Sequence, residues 1–317
     1  MRKFVIVFVL IALIISCSLL KHNYSTRYSW LLLDYPDCIE NEGDYIIVSS
    51  DDLEYVILNA HTIGPDPDIL WRLDVDNDEF SGTYIKVSKN NAVMAIFNKL
   101  YGIKLIEDKN PEIFSELKLN AEILSCEINN DTVFAYTKDN GLYVFNIQSD
   151  EFHFLSSMYD TNNFIKMEYQ NEYMYALDKS HGLNIVQFSG GSPELISRID
   201  STEMLIYDFV IESDYIYAAT FNPSLSIIDI SDKTSPQELE LNLGGDFYSK
   251  PINRIALGPY ENQVSLSGVN TLYCVNLNDM YYPDIFRIHE EGSRIFDICT
   301  IDGYTMISGF DKVKILE

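Results

Sequence analysis

A unit of roughly forty residues recurs along this chain, and a period in that range implies stacked or radial copies of one supersecondary element. Each copy runs as an apolar stretch, a polar turn and an aliphatic residue opening a second apolar stretch. Proline, an acid and another aliphatic residue follow. The clearest copies span Tyr215 to Leu241, Tyr173 to Ile199 and Val133 to Ile147. The residue opening the third strand of each unit falls at Leu53, Ile103, Leu142, Leu183, Leu225, Leu272 and Val313, at intervals of 39 to 50 residues. A second anchor, one strand earlier, falls at Ile46, Val93, Val133, Met174, Ile216, Val264 and Thr305. Both anchors count seven copies.

The apolar runs are short and rich in Val, Ile, Tyr and Phe, and Gly, Asn, Asp and Pro punctuate them, as half-buried strands and tight turns require. Proline opens the fourth run at Pro67, Pro111, Pro193, Pro236 and Pro283. It cannot donate to a ladder, so the fourth strand belongs at a sheet edge. The unit around Glu151 lacks that proline. Four strands per unit at this period predict an all-β, seven-bladed β-propeller. The last unit stops at Glu317 after its third strand, while Ser29 to Tyr35 reads as an orphan fourth strand. Pairing the two would close the ring, so residues 29–317 are expected to form one propeller.

The units resemble the LVIVD-repeat family. The best match is Leu225-Ser226-Ile227-Ile228-Asp229-Ile230-Ser231-Asp232, followed by Gly182-Leu183-Asn184-Ile185-Val186 and Gly141-Leu142-Tyr143-Val144-Phe145. The resemblance covers most of Asp44 to Glu317 and departs most in the first two units and the sixth. It implies a bacterial or archaeal envelope propeller and no particular activity.

The N-terminus points to the same compartment. Residues 1–16 have the form of a secretory leader: Met1-Arg2-Lys3, then twelve apolar residues from Phe4 to Ile15. That run is shorter than the roughly 20 residues a membrane span needs. Ile14-Ile15-Ser16-Cys17 resembles a lipobox, which implies cleavage before Cys17 and lipidation of its thiol. Residues 17–28 then read as a lipidated tether. Ser18, where an Asp would imply inner-membrane retention, points to an outer-membrane lipoprotein facing the periplasm. The membrane is therefore one expected partner, through the lipid anchor.

Composition removes one class of function. Lys and Arg number 22 against 48 Asp and Glu, a net charge of −26 that repels nucleic acid phosphates. Aromatic residues make up 13% of the chain, and most are expected between blades. Cys126 and Cys299 fall in first strands and Cys274 in a third, where small buried residues suffice. A Cys274–Cys299 bridge between adjacent blades stays open.

Links from second to third strands, and from blade to blade, emerge on one face of a propeller. That face supplies the candidate binding residues Asp51, Asp52, Tyr101, Asp139, His181, Phe221, Asp246, Phe247, Tyr248 and Phe310. Phe247 and Tyr248 either recognise a partner or cover the channel mouth. Asp74, Asp76 and Asp78 alternate like the start of a calcium loop, but position six is Glu79 and position twelve Ile85, so an EF-hand is excluded. A simpler Ca2+ site remains a candidate there; no other cofactor is expected. With no nucleophile elbow, phosphate loop or HExxH motif, the sequence favours a noncatalytic binding or scaffolding module for a protein or carbohydrate. Its rivals are a hydrolase or lyase with a site at the channel mouth, and an outer-membrane assembly factor receiving strands at an open sheet edge.

Overall fold

The computed structural model describes residues 26–30, 36–42, 45–50, 54–59, 69–74, 83–106, 111–138, 140–158, 164–178, 182–189, 192–200, 205–221, 224–241, 243, 247, 252–290, 294–301, 303–309 and 312–316. Strand β1 (Thr26–Trp30) precedes blade 1, which comprises β2 (Pro36–Glu42), β3 (Tyr45–Ser50), β4 (Glu54–Asn59) and β5 (Ile69–Asp74). Blade 2 is β6 (Thr83–Ser88), β7 (Asn91–Ile96), β8 (Lys99–Lys104) and β9 (Glu112–Lys118). Blade 3 is β10 (Ile123–Asn129), β11 (Thr132–Thr137), β12 (Gly141–Gln148) and β13 (Glu151–Met158). Blade 4 is β14 (Phe164–Gln170), β15 (Tyr173–Asp178), β16 (Gly182–Ser189) and β17 (Ser192–Ile199). Blade 5 is β18 (Ile206–Glu212), β19 (Tyr215–Thr220), β20 (Leu225–Asp229) and β21 (Gln237–Leu239). Blade 6 is β22 (Ile252–Leu257), β23 (Gln263–Gly268), β24 (Thr271–Asn276) and β25 (Asp284–Glu290). Blade 7 is β26 (Ile295–Ile301), β27 (Tyr304–Gly309) and β28 (Val313–Leu316), completed by β1.

Seven antiparallel four-stranded sheets follow one pattern, so the sevenfold propeller holds. The closing strand takes in Ser29 and Trp30 of the expected segment and starts three residues before it; residues 31–35 lie outside the described residues. It runs Thr26–Trp30, with Thr26 opposite Leu316 and Trp30 opposite Val313. The described part of the ring therefore takes in Thr26 and Tyr28, which fall in the segment read as tether.

Two anchors also move. Leu142, Leu183, Leu225 and Leu272 each pair with the penultimate residue of the second strand. In blade 2 that place belongs to Leu100, opposite Ala95, because a tight Phe97-Asn98 turn starts β8 at Lys99 and brings the anchor three residues ahead of Ile103. Phe97 takes the left-handed backbone (φ 51°) that such a turn needs. In blade 1 it belongs to Tyr55, opposite Ser49, while Leu53 lies outside the described residues.

The core lies between blades. Seven apolar clusters fill the seven seams, and one of them joins Met306, Val313 and Ile315 of blade 7 to Ile39, Ile46 and Val48 of blade 1. Second strands are buried on both faces, which is why they read as unbroken apolar runs such as Val133 to Tyr136. The blade 3–4 seam is aromatic: Tyr136 packs on Phe164 at 4.3 Å and Phe134 on Phe188 at 4.8 Å. Such pairs add about 0.5–1.5 kcal/mol each beyond area burial. Cys126, Cys274 and Cys299 are buried thiols, and Cys274 and Cys299 form no bridge.

Candidate functional site

First strands surround the propeller axis, and their inner edges have no sheet neighbour, so side chains or water in the channel serve their backbone groups there. Residues from all seven first strands line one cavity of about 700 Å³: Ile39, Lys86, Glu127, Lys166, Asp208, Ile255 and Asp297 among them. A second cavity of about 390 Å³ lies toward the strands' N-terminal ends and includes Ser49, Tyr84, Tyr207 and Arg254. Together they form the axial channel. We define its upper mouth as the end where links between blades emerge.

Lys166 is the centre of the channel's charge. Its Nζ lies 2.7 Å from Asp208 Oδ1 and 3.1 Å from Glu168 Oε1, and it donates to the Phe209 carbonyl at 2.7 Å. Burial alone would lower its pKa, but the carboxylates of Asp208 and Glu168 outweigh that and hold it above the ordinary lysine value. Burial in turn raises Glu168, against the pull of Lys166. Asp208 is committed on every side. Oδ1 also accepts the Phe209 N–H at 2.9 Å, and Oδ2 accepts the Ile255 N–H of the next blade at 3.0 Å. One such relay recurs: Arg254 meets Asp297 at 3.3 Å, and Asp297 accepts the Ile39 N–H at 3.2 Å.

These residues were not among the sequence candidates. A signal existed: Lys166, Asp208, Arg254 and Asp297 each place a charge at the third position of a first strand, in blades 4 to 7. In register that place follows a bulge in each of these four strands, which turns its side chain into the channel.

The predicted face fares unevenly. Phe221 is exposed (58%), directly after β19, and its N–H donates to the Leu205 carbonyl at 3.0 Å. Beside it on blade 5, Leu205 and Tyr207 are exposed too, and Tyr207 also lines the upper cavity. Ile165 on blade 4 and Val269 on blade 6 continue the apolar rim. Tyr101 is half-buried within β8, with the Lys99 ammonium 6.0 Å from its ring centroid, and not in a loop. Phe247 is no free contact: it is 6% exposed, packs edge-on against Tyr273 at 5.1 Å, and its carbonyl accepts the Ser224 hydroxyl at 2.6 Å. Its apolar ring finds more stabilisation in the blade 5–6 seam than at the surface. Asp51, Asp52, Asp139, His181, Asp246, Tyr248 and Phe310 lie outside the described residues, as do Cys17, Asp76 and Asp78. Asp74 ends β5, opposite Glu54. Among the described residues no three His, Cys, Asp or Glu side chains converge as a metal site.

Known proteins agree on architecture. Residues 207–241, which are most of blade 5, match the LVIVD repeat. The chain is similar in structure to the Cps50 (Swd1) β-propeller domain of Myceliophteria thermophila, with a TM-score of 0.68, 12% identity, and coverage of 92% of this chain and 99% of that one. At such identity the likeness shows the propeller fold alone. No curated protein matches the chain.

Proposed function

We propose that this chain is a lipid-anchored propeller of the bacterial envelope whose upper channel mouth holds a protein partner without covalent chemistry. The observation that carries this reading is the apolar group on blade 5, where Leu205, Tyr207 and Phe221 stand 51%, 39% and 58% exposed beside the upper cavity. Clustered apolar side chains around a polar, charged mouth mark interaction surfaces on soluble domains. Mounting these residues in or beside paired strands of a seven-seam ring lowers the ordering cost of binding. The anchor rests on the leader and on Cys17; export would place the domain where envelope proteins are its neighbours.

Affinity isolation from detergent-solubilised envelope tests the reading, comparing the native chain with Phe221→Asp and Tyr207→Ala. The expected result is a stoichiometric protein recovered with the native chain and lost with both variants. Recovery of the same proteins by all three, or turnover of an envelope polymer with no partner, overturns it. Cys17→Ser is expected to move the protein from the membrane to the soluble fraction; continued membrane retention would reject the anchor.

A further inference from the structure

An outermost strand leaves one row of backbone N–H and C=O groups open, and proteins blunt such edges with proline, charge, brevity or a bulge. Most blades here do so. β9 follows Pro111 and carries Glu112, Glu116 and Lys118; β17 contains Pro193, Glu194 and Arg198. β25 follows Pro283 and carries Asp284 and Arg287, and β21 is only three residues long. β13 differs. It runs for eight residues, and from Phe152 to Met158 it has neither proline nor any Asp, Glu, Lys or Arg. A bulge at Leu155 interrupts its register, but β9, β17 and β25 share that bulge, so it does not compensate.

The strand also presents apolar side chains. Phe154 is 59% exposed and Leu155 is 50% exposed. Phe154 packs edge-on to Phe145 at 6.0 Å, so its ring is oriented. Ile113 on β9 and Leu195 on β17 are likewise exposed, on the outer strands of the blades to either side.

We infer that β13 is a docking edge: an extended segment of another protein adds to blade 3 as a fifth strand. Main-chain bonds to the open edge supply affinity, and side chains over Phe154 and Leu155 supply selectivity. Charge decides the occupant. A second copy carries the same net charge of −26 and is repelled on approach, whereas a strand alternating apolar with basic residues is drawn in by the same field. The edge lies on the outer rim, away from the channel mouth, so this site stands or falls separately from the one above.

The probe is a short capped peptide alternating lysine and valine, followed by amide hydrogen exchange and by fluorescence anisotropy at fixed salt. Expected are slowed exchange across Phe152–Met158 with β9 and β17 unchanged, and at least ten-fold weaker binding to Phe154→Lys. Methylating alternate peptide nitrogens should abolish binding, since it removes ladder donors and leaves the charge intact. That arm decides the matter if Phe154→Lys fails to fold. Binding indifferent to methylation, equal binding of a glutamate–valine peptide, or protection spread over all outer strands overturns the inference. So does a dimer in sedimentation that Phe154→Lys dissolves, which would make the occupant a second copy.

Discussion

Asp208 Oδ2 accepts the backbone N–H of Ile255, one blade further round the ring, at 3.0 Å. Asp297 repeats this on Ile39, across the seam that closes the circle. In both cases the target is the fourth residue of the neighbouring first strand, and the carboxylate also meets a cation at the third place of the preceding one. The inner edge of a propeller sheet has no strand to satisfy it. Here carboxylates take that part, so channel charge binds blade to blade.

Removing one member of such a relay strands the others. Asp208→Ala leaves Lys166 with Glu168 and the Phe209 carbonyl, leaves the Ile255 N–H without its acceptor, and is expected to cost about 3 kcal/mol in chemical denaturation. Asp297→Ala should cost only about 1 kcal/mol, because Arg254 is 41% exposed and water screens the pair. Pairing Asp208→Ala with Lys166→Met should recover part of the loss. Equal losses for the two single variants would contradict the relay.

The blade 6–7 seam invites the opposite change. Val264 and Leu266 face blade 5, so alternation turns Ser265 and Ser267 toward blade 7, where the apolar cluster is small. The hydroxyls of Ser265, Ser267 and Thr305 are buried and have no hydrogen-bond partner. Ser265→Ala is expected to stabilise the protein by about 1 kcal/mol, read as a raised melting midpoint. A drop would show that the hydroxyl has a role in that seam.

Much of this architecture was legible beforehand because each seam buries a second strand on both faces. Val133 and Ile216 had to be apolar and evenly spaced. Loop length was harder to read. The tight Phe97-Asn98 turn moves the third-strand anchor of blade 2 from Ile103 to Leu100, and nothing in an apolar pattern fixes turn length. Phe221 was found as a loop aromatic, whereas Phe247 looked equivalent and is buried. An aromatic residue in a polar link serves core or surface alike, and only the seam's geometry separates them. The channel charges were overlooked because a lone Lys or Asp in a strand also suits a solvated face.

Closure by β1 makes blade 7 depend on the first of the described strands. Deleting residues 1–30 would uncover the outer edge of β28, whose Val313 and Ile315 are fully buried. The expected outcome is a lower melting midpoint, fast amide exchange in β28, and association at high concentration through the new edge. Unchanged exchange in β28 would mean that the ring closes without this strand.

Alkaline pH should loosen the seams through tyrosine. Tyr217 is 3% exposed, and burial first, then Glu212 and Tyr215, push its phenol up to about 12. Tyr84 is likewise raised to about 12, chiefly by burial. An unfolded chain releases these protons near 10 while the folded one retains them. The native state therefore binds more protons between pH 10 and 12, and stability falls as pH rises through that window. For Tyr217 the shift amounts to roughly 2–3 kcal/mol by pH 12. Lys166, also raised, acts in the same direction above 10.5, where its unfolded form loses charge that the folded form keeps. Denaturation midpoints at pH 9, 10, 11 and 12 should decline, and Tyr217→Phe should flatten the decline without altering the value at pH 9. A slope unchanged by that substitution would assign the alkaline loss to other groups.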